Sequence, residues 1–187
     1  MTEKQYLTAQ GLLEDSFRLG AKIIQDGFRP SLMVALWRGG VPMGIAIQEL
    51  LAWYGIATDH IAIRAASYSG IDGRADHVRV LGLDYLVEHC TRDDRLLIVD
   101  DVFDTGLTID AVIDQLRQRA RRNTPSDIRV AVPYYKPARR RSARVPDYFL
   151  YETDAWLKFP HSLEGLEPEE VSRHRPELEA ILRDPPD

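Results

Sequence analysis

Leu96-Leu-Ile-Val-Asp-Asp-Val-Phe-Asp-Thr-Gly-Leu-Thr108 is the stretch on which the fold turns. Leu96–Val99 is a short unbroken apolar run that stops at two adjacent carboxylates, Asp100 and Asp101, so it reads as a strand buried on both faces. A turn containing Asp104, Thr105 and Gly106 then opens a helix near Thr108. In that helix Ile109, Val112, Ile113 and Leu116 recur at spacings of three and four. In open α/β sheets, ligands lie at the carboxyl ends of strands, where this turn sits. Backbone N–H groups at a helix start suit a phosphate, and Gly106 with small hydroxyl neighbours lets one approach. Asp100 and Asp101 would repel that phosphate. They suit sugar hydroxyls instead, or the water shell of a Mg²⁺ ion.

Working outward, Leu32–Leu36 reads as a second buried strand after Pro30, followed by Arg38-Gly-Gly40 and a helix from about Pro42 to Gly55. Upstream, Leu12, Leu13, Phe17, Ile23 and Ile24 form a loose helical stripe from Thr8, a suitable N-cap, to about Gln25, with Gly27 as the stop. His60–Arg64, Val78–Leu83, Ile128–Val132 and Tyr148–Tyr151 are further strand candidates. Strands alternating with helices predict a mostly parallel sheet covered on both faces. Two rival readings of the deciding stretch fail. It has no GxxxxGK[ST] loop, and its Asp-Asp-x-x-Asp follows a strand and contains a glycine turn, unlike the helical diphosphate motif.

Composition narrows the class. The chain has 187 residues, 44% hydrophobic and 28% charged, which is enough apolar material for one sizeable core. Its 24 basic and 29 acidic residues give a net charge of −5, which disfavours nucleic-acid binding by bulk electrostatics. No run approaches the ~18 apolar residues that span a bilayer, and the N-terminus lacks a signal-peptide plan. The lone cysteine, Cys90, reads as buried packing in a reducing, cytoplasmic protein.

Asp100–Thr108 resembles the phosphoribosyl-pyrophosphate (PRPP) signature of the type I phosphoribosyltransferases. The resemblance extends, in the family's order, over most of residues 30–165. It implies an α/β fold with a mostly parallel central sheet flanked by helices and a small hood. Residues 1–187 would form a single domain, with a core at about 30–135, hood and base-pocket elements at about 136–165, and a tail at 166–187. The PRPP-binding residues it implies are Arg38, Gly39, Asp100, Asp101, Asp104, Thr105, Gly106, Leu107 and Thr108. Mg²⁺ would be held by Asp100 and Asp101, mainly through ribose hydroxyls or water. Leu36–Gly40 is similar to the family's pyrophosphate loop, where a non-proline cis peptide would fall at Trp37–Arg38. Ser67 and Tyr68, followed by a polar stretch to His77, look like the hood that closes over the reacting sugar and excludes water.

The base pocket points to a branch. Tyr134-Tyr-Lys-Pro137 and Thr153–Pro160 resemble the 6-oxopurine enzymes, in which a lysine donates to purine O6, an aromatic stacks on the ring, and the next residue meets the base edge. Carried over, these are Lys136, Trp156 and Leu157. An ammonium suits a carbonyl oxygen, whereas adenine would present it with an amino donor. The family's acid beyond the stacking aromatic is replaced here by the Ser162–Glu164 region, which leaves the second metal position open. The basic run Arg139–Arg144 reads first as solvated charge, with PRPP recruitment or a subunit contact as alternatives.

The expected activity is therefore transfer of a 5-phosphoribosyl group from PRPP to a 6-oxopurine, with Asp104 as general base. Hypoxanthine, guanine and xanthine are not distinguished. A PRPP-binding regulator and a transferase for a pyrimidine base are the alternatives. The expected partners are PRPP, a 6-oxopurine and a second copy of the chain, as a homodimer or homotetramer, with neither nucleic acid nor membrane.

Overall fold

The protein is described by a computed structural model covering residues 4–68 and 77–183. In chain order its elements begin β1 (Lys4–Tyr6), α1 (Ala9–Gln25), β2 (Leu32–Trp37), α2 (Gly40–Trp53), β3 (Asp59–Tyr68), β4 (His77–Leu81), α3 (Asp84–His89) and β5 (Arg95–Val99). They continue with β6 (Val102–Phe103), α4 (Leu107–Ala120), β7 (Asp127–Ala131), β8 (Tyr134–Tyr135), β9 (Tyr151–Glu152), β10 (Trp156–Lys158), α5 (Pro168–His174) and α6 (Pro176–Arg183). By contacts the chain separates into two units, one from Leu12 to Asp154 and one made of the segment up to Gly11 with the segment from Ala155 onward.

The larger unit is built on a five-stranded sheet of order β4-β3-β2-β5-β7. β3, β2, β5 and β7 run parallel, and β4 pairs antiparallel at the edge. This is the mostly parallel sheet that the alternating pattern predicts. Alternation along β2 explains its two cores. Leu32, Val34 and Leu36 pack in one cluster with Leu96 and Ile98 of β5 and with Ile109, Val112, Ile113 and Leu116 of α4. On the opposite face, Gly44 of α2 brings that helix against Ala35, where an added Cβ would lie 2.8 Å from the Ala35 Cβ. α1 packs on α2 in turn, with Gly20 against Leu50 and Ile47.

Sequence signals set the boundaries of α1. The Gly11 N–H donates to Thr8 Oγ1 at 3.0 Å, and Gly27 takes a φ of 78° just past the last turn. Its buried stripe differs from the expected one. Leu12, Ser16, Leu19 and Ile23 face inward, while Leu13 and Phe17 are exposed. Cys90 is buried, as its composition class suggests. Tyr148–Tyr151 is not a continuous strand: Tyr148 makes one bridge to Ala131, and β9 begins at Tyr151. β6, β8 and β9 form a second, three-stranded sheet, in the order β6-β8-β9.

In the smaller unit, β1 and β10 pair in parallel, with Lys4 opposite Trp156, Gln5 opposite Leu157 and Tyr6 opposite Lys158. Glu170 ties this ladder to α5 by accepting from Lys4 Nζ at 2.6 Å and from the Tyr6 hydroxyl. It also completes the capping box with Glu167. The buried Arg175 donates to the carbonyls of Phe159 and Pro160 at 2.7 and 2.6 Å. Among the described residues, no helix is long and apolar enough to cross a membrane.

Candidate active site

The carboxyl ends of β2 and β5 lie side by side because the two strands pair in parallel, Leu32 to Leu96 through Ala35 to Val99. The chain leaves β2 through a cis Trp37–Arg38 peptide, at the bond the family resemblance implies. It then enters α2 at Gly40. A Cβ on Gly40 would stand 2.3 Å from the Val99 carbonyl, and one on Gly39 2.2 Å from Asp101 Oδ2. Only glycines let this loop close onto the end of β5.

Asp100 and Asp101 follow β5 directly. The Asp101 N–H donates to Asp100 Oδ1 at 2.9 Å. Withdrawal from water, then the neighbouring Asp101 carboxylate, pushes the Asp100 pKa well above the usual carboxylate range. The corner thus holds two acids in a place that disfavours their combined charge.

β6 carries the chain on to the turn at Asp104, Thr105 and Gly106. Gly106 has a φ of 80°, and a Cβ there would fall 2.6 Å from the Phe103 ring and from the Ser142 Cβ. α4 begins at Leu107, so the first-turn amides of Leu107 and Thr108, which have no intrahelical acceptor, lie at its N-terminus.

Lys136 belongs to the same corner. Its N–H donates to the Phe103 carbonyl at 2.9 Å, and its side chain is only 5% exposed. Burial lowers its pKa, Asp104 and Asp154 act against that shift, and Arg139 adds to it.

The basic run is not simply solvated. Arg139 Nε lies 2.9 Å from Asp104 Oδ1. The Arg141 and Ser142 N–H groups donate to the Thr105 carbonyl at 2.9 and 3.0 Å. Ser142 Oγ donates to Asp110 Oδ1 at 2.8 Å and accepts from the Arg144 N–H at 2.9 Å. Segment 136–144 is therefore a clasp over the turn. Sequence reading gave Arg139 and Ser142 no role beyond membership of the basic run, and the one signal for them was that the run follows Lys136 immediately.

The larger unit brings together Arg38, Gly39, Asp100, Asp101, Asp104–Thr108 and Lys136. Trp156 and Leu157 lie on β10 of the smaller unit, with Trp156 53% exposed and Lys158 Nζ 5.7 Å from its ring centroid. Lys158 itself is buried and donates to the carbonyls of Glu164 and Gly165, both at 3.0 Å. Ser67 and Tyr68 end β3, but their side chains and the rest of the expected hood, residues 69–76, lie outside the described residues.

The fold and this corner define an α/β protein of the open-sheet class, whose ligands bind where parallel strands end. Residues 2–168 match the phosphoribosyl transferase domain, and the chain belongs to that family. Among solved structures it is similar to a purine phosphoribosyltransferase from Pyrococcus horikoshii, at 24% identity and a TM-score of 0.68, covering 88% of this chain and 97% of that one. A hypothetical protein from Neisseria gonorrhoeae with bound ppGpp aligns at 22% identity and a TM-score of 0.73, over 95% and 98% of the two chains. A Helicobacter pylori xanthine-guanine-hypoxanthine phosphoribosyltransferase aligns at 18% and 0.63, over 85% and 92%. At these identities the likeness is one of fold.

Proposed function

We propose that this protein is a cytoplasmic purine salvage enzyme. It transfers the 5-phosphoribosyl group of PRPP to N9 of a 6-oxopurine (hypoxanthine, guanine or xanthine), giving the nucleoside monophosphate and pyrophosphate. The observation that carries the reading is Lys136, a residue only 5% exposed and tied by its own backbone to the phosphate turn. A purine O6 can accept from its ammonium; an adenine amino group cannot.

In this reading the 5′-phosphate lies on the turn from Asp104 to Thr108, the ribose hydroxyls at Asp100 and Asp101, and the pyrophosphate near Arg38 and Gly39. N9 bonds to C1′ as the bond from C1′ to the pyrophosphate oxygen breaks, and Asp104 takes the N7 proton. Positioning and charge stabilisation of the leaving group supply most of the rate. Lys136 fixes O6, Trp156 stacks on the base and Leu157 meets its edge. Ser67 and Tyr68 belong to the hood that excludes water.

The acid pair also fits Mg²⁺. Burial and mutual repulsion make Asp100 and Asp101 a donor set that a hard cation or hydroxyls would relieve. Asp100 and Asp101 would hold the ion mainly through ribose hydroxyls or water. When bound, Mg²⁺ supplies charge neutralisation at the pyrophosphate.

Self-association as a homodimer or homotetramer is part of the proposal. It is supported by the outward face of α2, where Ile45 and Trp53 are 61% and 84% exposed and Glu49 is the helix's only charge. Sedimentation velocity reads the assembly directly.

The deciding assay is pyrophosphate release from PRPP and Mg²⁺ with hypoxanthine, guanine, xanthine, adenine and uracil offered separately. Turnover confined to 6-oxopurines is expected. Turnover with uracil alone favours a pyrimidine enzyme, and tight PRPP binding without any turnover favours a regulator.

A further inference from the structure

Arg139 sits at the centre of the clasp. On one side of it the Lys136 N–H is bonded to the Phe103 carbonyl, and on the other the Arg141 and Ser142 N–H groups are bonded to the Thr105 carbonyl. Backbone hydrogen bonds therefore grip both neighbours of Asp104, and the short 3₁₀ turn Pro137–Arg139 is suspended between them. The turn closes with the Arg139 N–H donating to the Lys136 carbonyl at 3.1 Å. An exposed ion pair of two free side chains contributes little, because holding them in one geometry costs side-chain entropy. Here the backbone has already brought the two residues together.

The contact has an unusual form. Nε of Arg139 stands 2.9 Å from Oδ1 of Asp104, and Oδ1 is shielded from water, yet no hydrogen bond reaches that oxygen among the described residues. The guanidinium gives the oxygen a compensating charge while leaving its lone pairs without a donor.

Resting on the reading of Asp104 as general base, we propose that Arg139 is a positioning residue for that carboxylate. Its charge engages the shielded Oδ1 and holds the Asp104 side chain across the phosphate turn, leaving the exposed part of the carboxyl to receive a proton. A carboxylate released from this contact would sample other rotamers, and misplacement of about 1 Å can cost about 10²-fold in rate.

The test is a kinetic double-mutant cycle of Arg139→Gln and Asp104→Asn, with Arg139→Lys as the conservative variant. It uses whichever base the wild-type enzyme turns over, with melting temperatures recorded for every variant. The proposal expects Arg139→Gln to lower kcat by about 10- to 100-fold, with KM for PRPP and for the base changing less than about threefold. Arg139→Lys should recover part of the loss. The double variant should be no slower than Asp104→Asn alone, because the two residues act as one unit.

A raised KM for PRPP with kcat intact would make Arg139 a phosphate ligand and overturn the proposal. Multiplicative losses in the double variant, or an unchanged Arg139→Gln enzyme, would overturn it as well. The 6-oxopurine reading fails separately, if the cycle behaves as expected but only adenine or uracil is turned over. Absence of turnover with every base overturns both.

Discussion

Gly39 and Asp101 are in backbone-to-side-chain contact: a methyl group on Gly39 would lie 2.2 Å from Asp101 Oδ2 and 2.3 Å from its Cγ. The loop leaving β2 and the acidic pair leaving β5 thus form one surface, and its closeness depends on a missing side chain. Gly39→Ala must move either the loop or the carboxylate. In the proposed reading this separates the pyrophosphate and ribose subsites, so KM for PRPP should rise at least tenfold. Far-ultraviolet circular dichroism should be unchanged, since the collision lies outside the core. An alanine enzyme with wild-type KM for PRPP would detach this loop from substrate binding.

Asp104→Asn removes the proposed proton acceptor while keeping the shape of the turn. General-base help is typically worth 10²–10⁴-fold, so kcat should fall by about that amount and KM for PRPP should stay within a small factor. Single-turnover kinetics check that chemistry is the step being slowed. An unchanged single-turnover rate would take Asp104 out of the role.

Asp100 predicts a trade of stability for function. Its folded-state pKa is raised by withdrawal from water and by Asp101, so its charged form is disfavoured in the folded protein. The folded state holds the proton more tightly than the unfolded state. The destabilisation is therefore present above the raised pKa and disappears as pH falls through it. Asp100→Asn should melt higher than wild type at neutral pH, by roughly 2–4 °C for each kcal/mol relieved in a chain of this size. The difference should shrink as pH is lowered, while PRPP binding weakens. Differential scanning calorimetry from pH 4 to 8 without ligand reads the sign, and a neutral-pH melt lower than wild type would contradict it.

Much of this corner was legible before the structure. Leu96–Val99 has one reading as a buried strand, and the acids, glycine and threonines after it have one place to go in an open sheet. Arg38-Gly-Gly40 gained meaning only by following another buried strand. Lys136 was legible through its family resemblance, but its burial was not.

The clasp escaped because charge density along the chain carries no record of where backbone N–H groups end. Arg139–Arg144 reads as solvated charge until the Arg141 and Ser142 amides are seen to bond Thr105. The two-residue strands β6, β8 and β9 are too short to show a period of two, and β1 and β10 pair across more than 140 residues of sequence. Leu13 and Phe17 misled for a different reason: the helix phase is set by Leu12, Ser16, Leu19 and Ile23, and a small hydroxyl in that stripe hides it. The Ser16 hydroxyl donates to the Leu12 carbonyl at 2.7 Å, which allows it to be buried.

Lys136 should make base binding pH-dependent. Burial, as the largest cause, lowers its pKa below the usual lysine range near 10.5. A lysine with a depressed pKa is an ammonium below that pKa and a neutral amine above it. The proposed bond to purine O6 loses its charge assistance as pH rises through the depressed value. KM for the base should then climb within the alkaline range, at a lower pH than an unperturbed lysine would allow, while KM for PRPP does not follow it. Lys136→Arg keeps its charge throughout, since a guanidinium does not titrate there. The ratio of wild-type to Lys136→Arg KM for the same base cancels the base's own ionisation and should rise with pH, approaching tenfold per unit if only the ammonium binds. A ratio that stays flat to pH 10.5 would mean that the Lys136 charge does not hold the base.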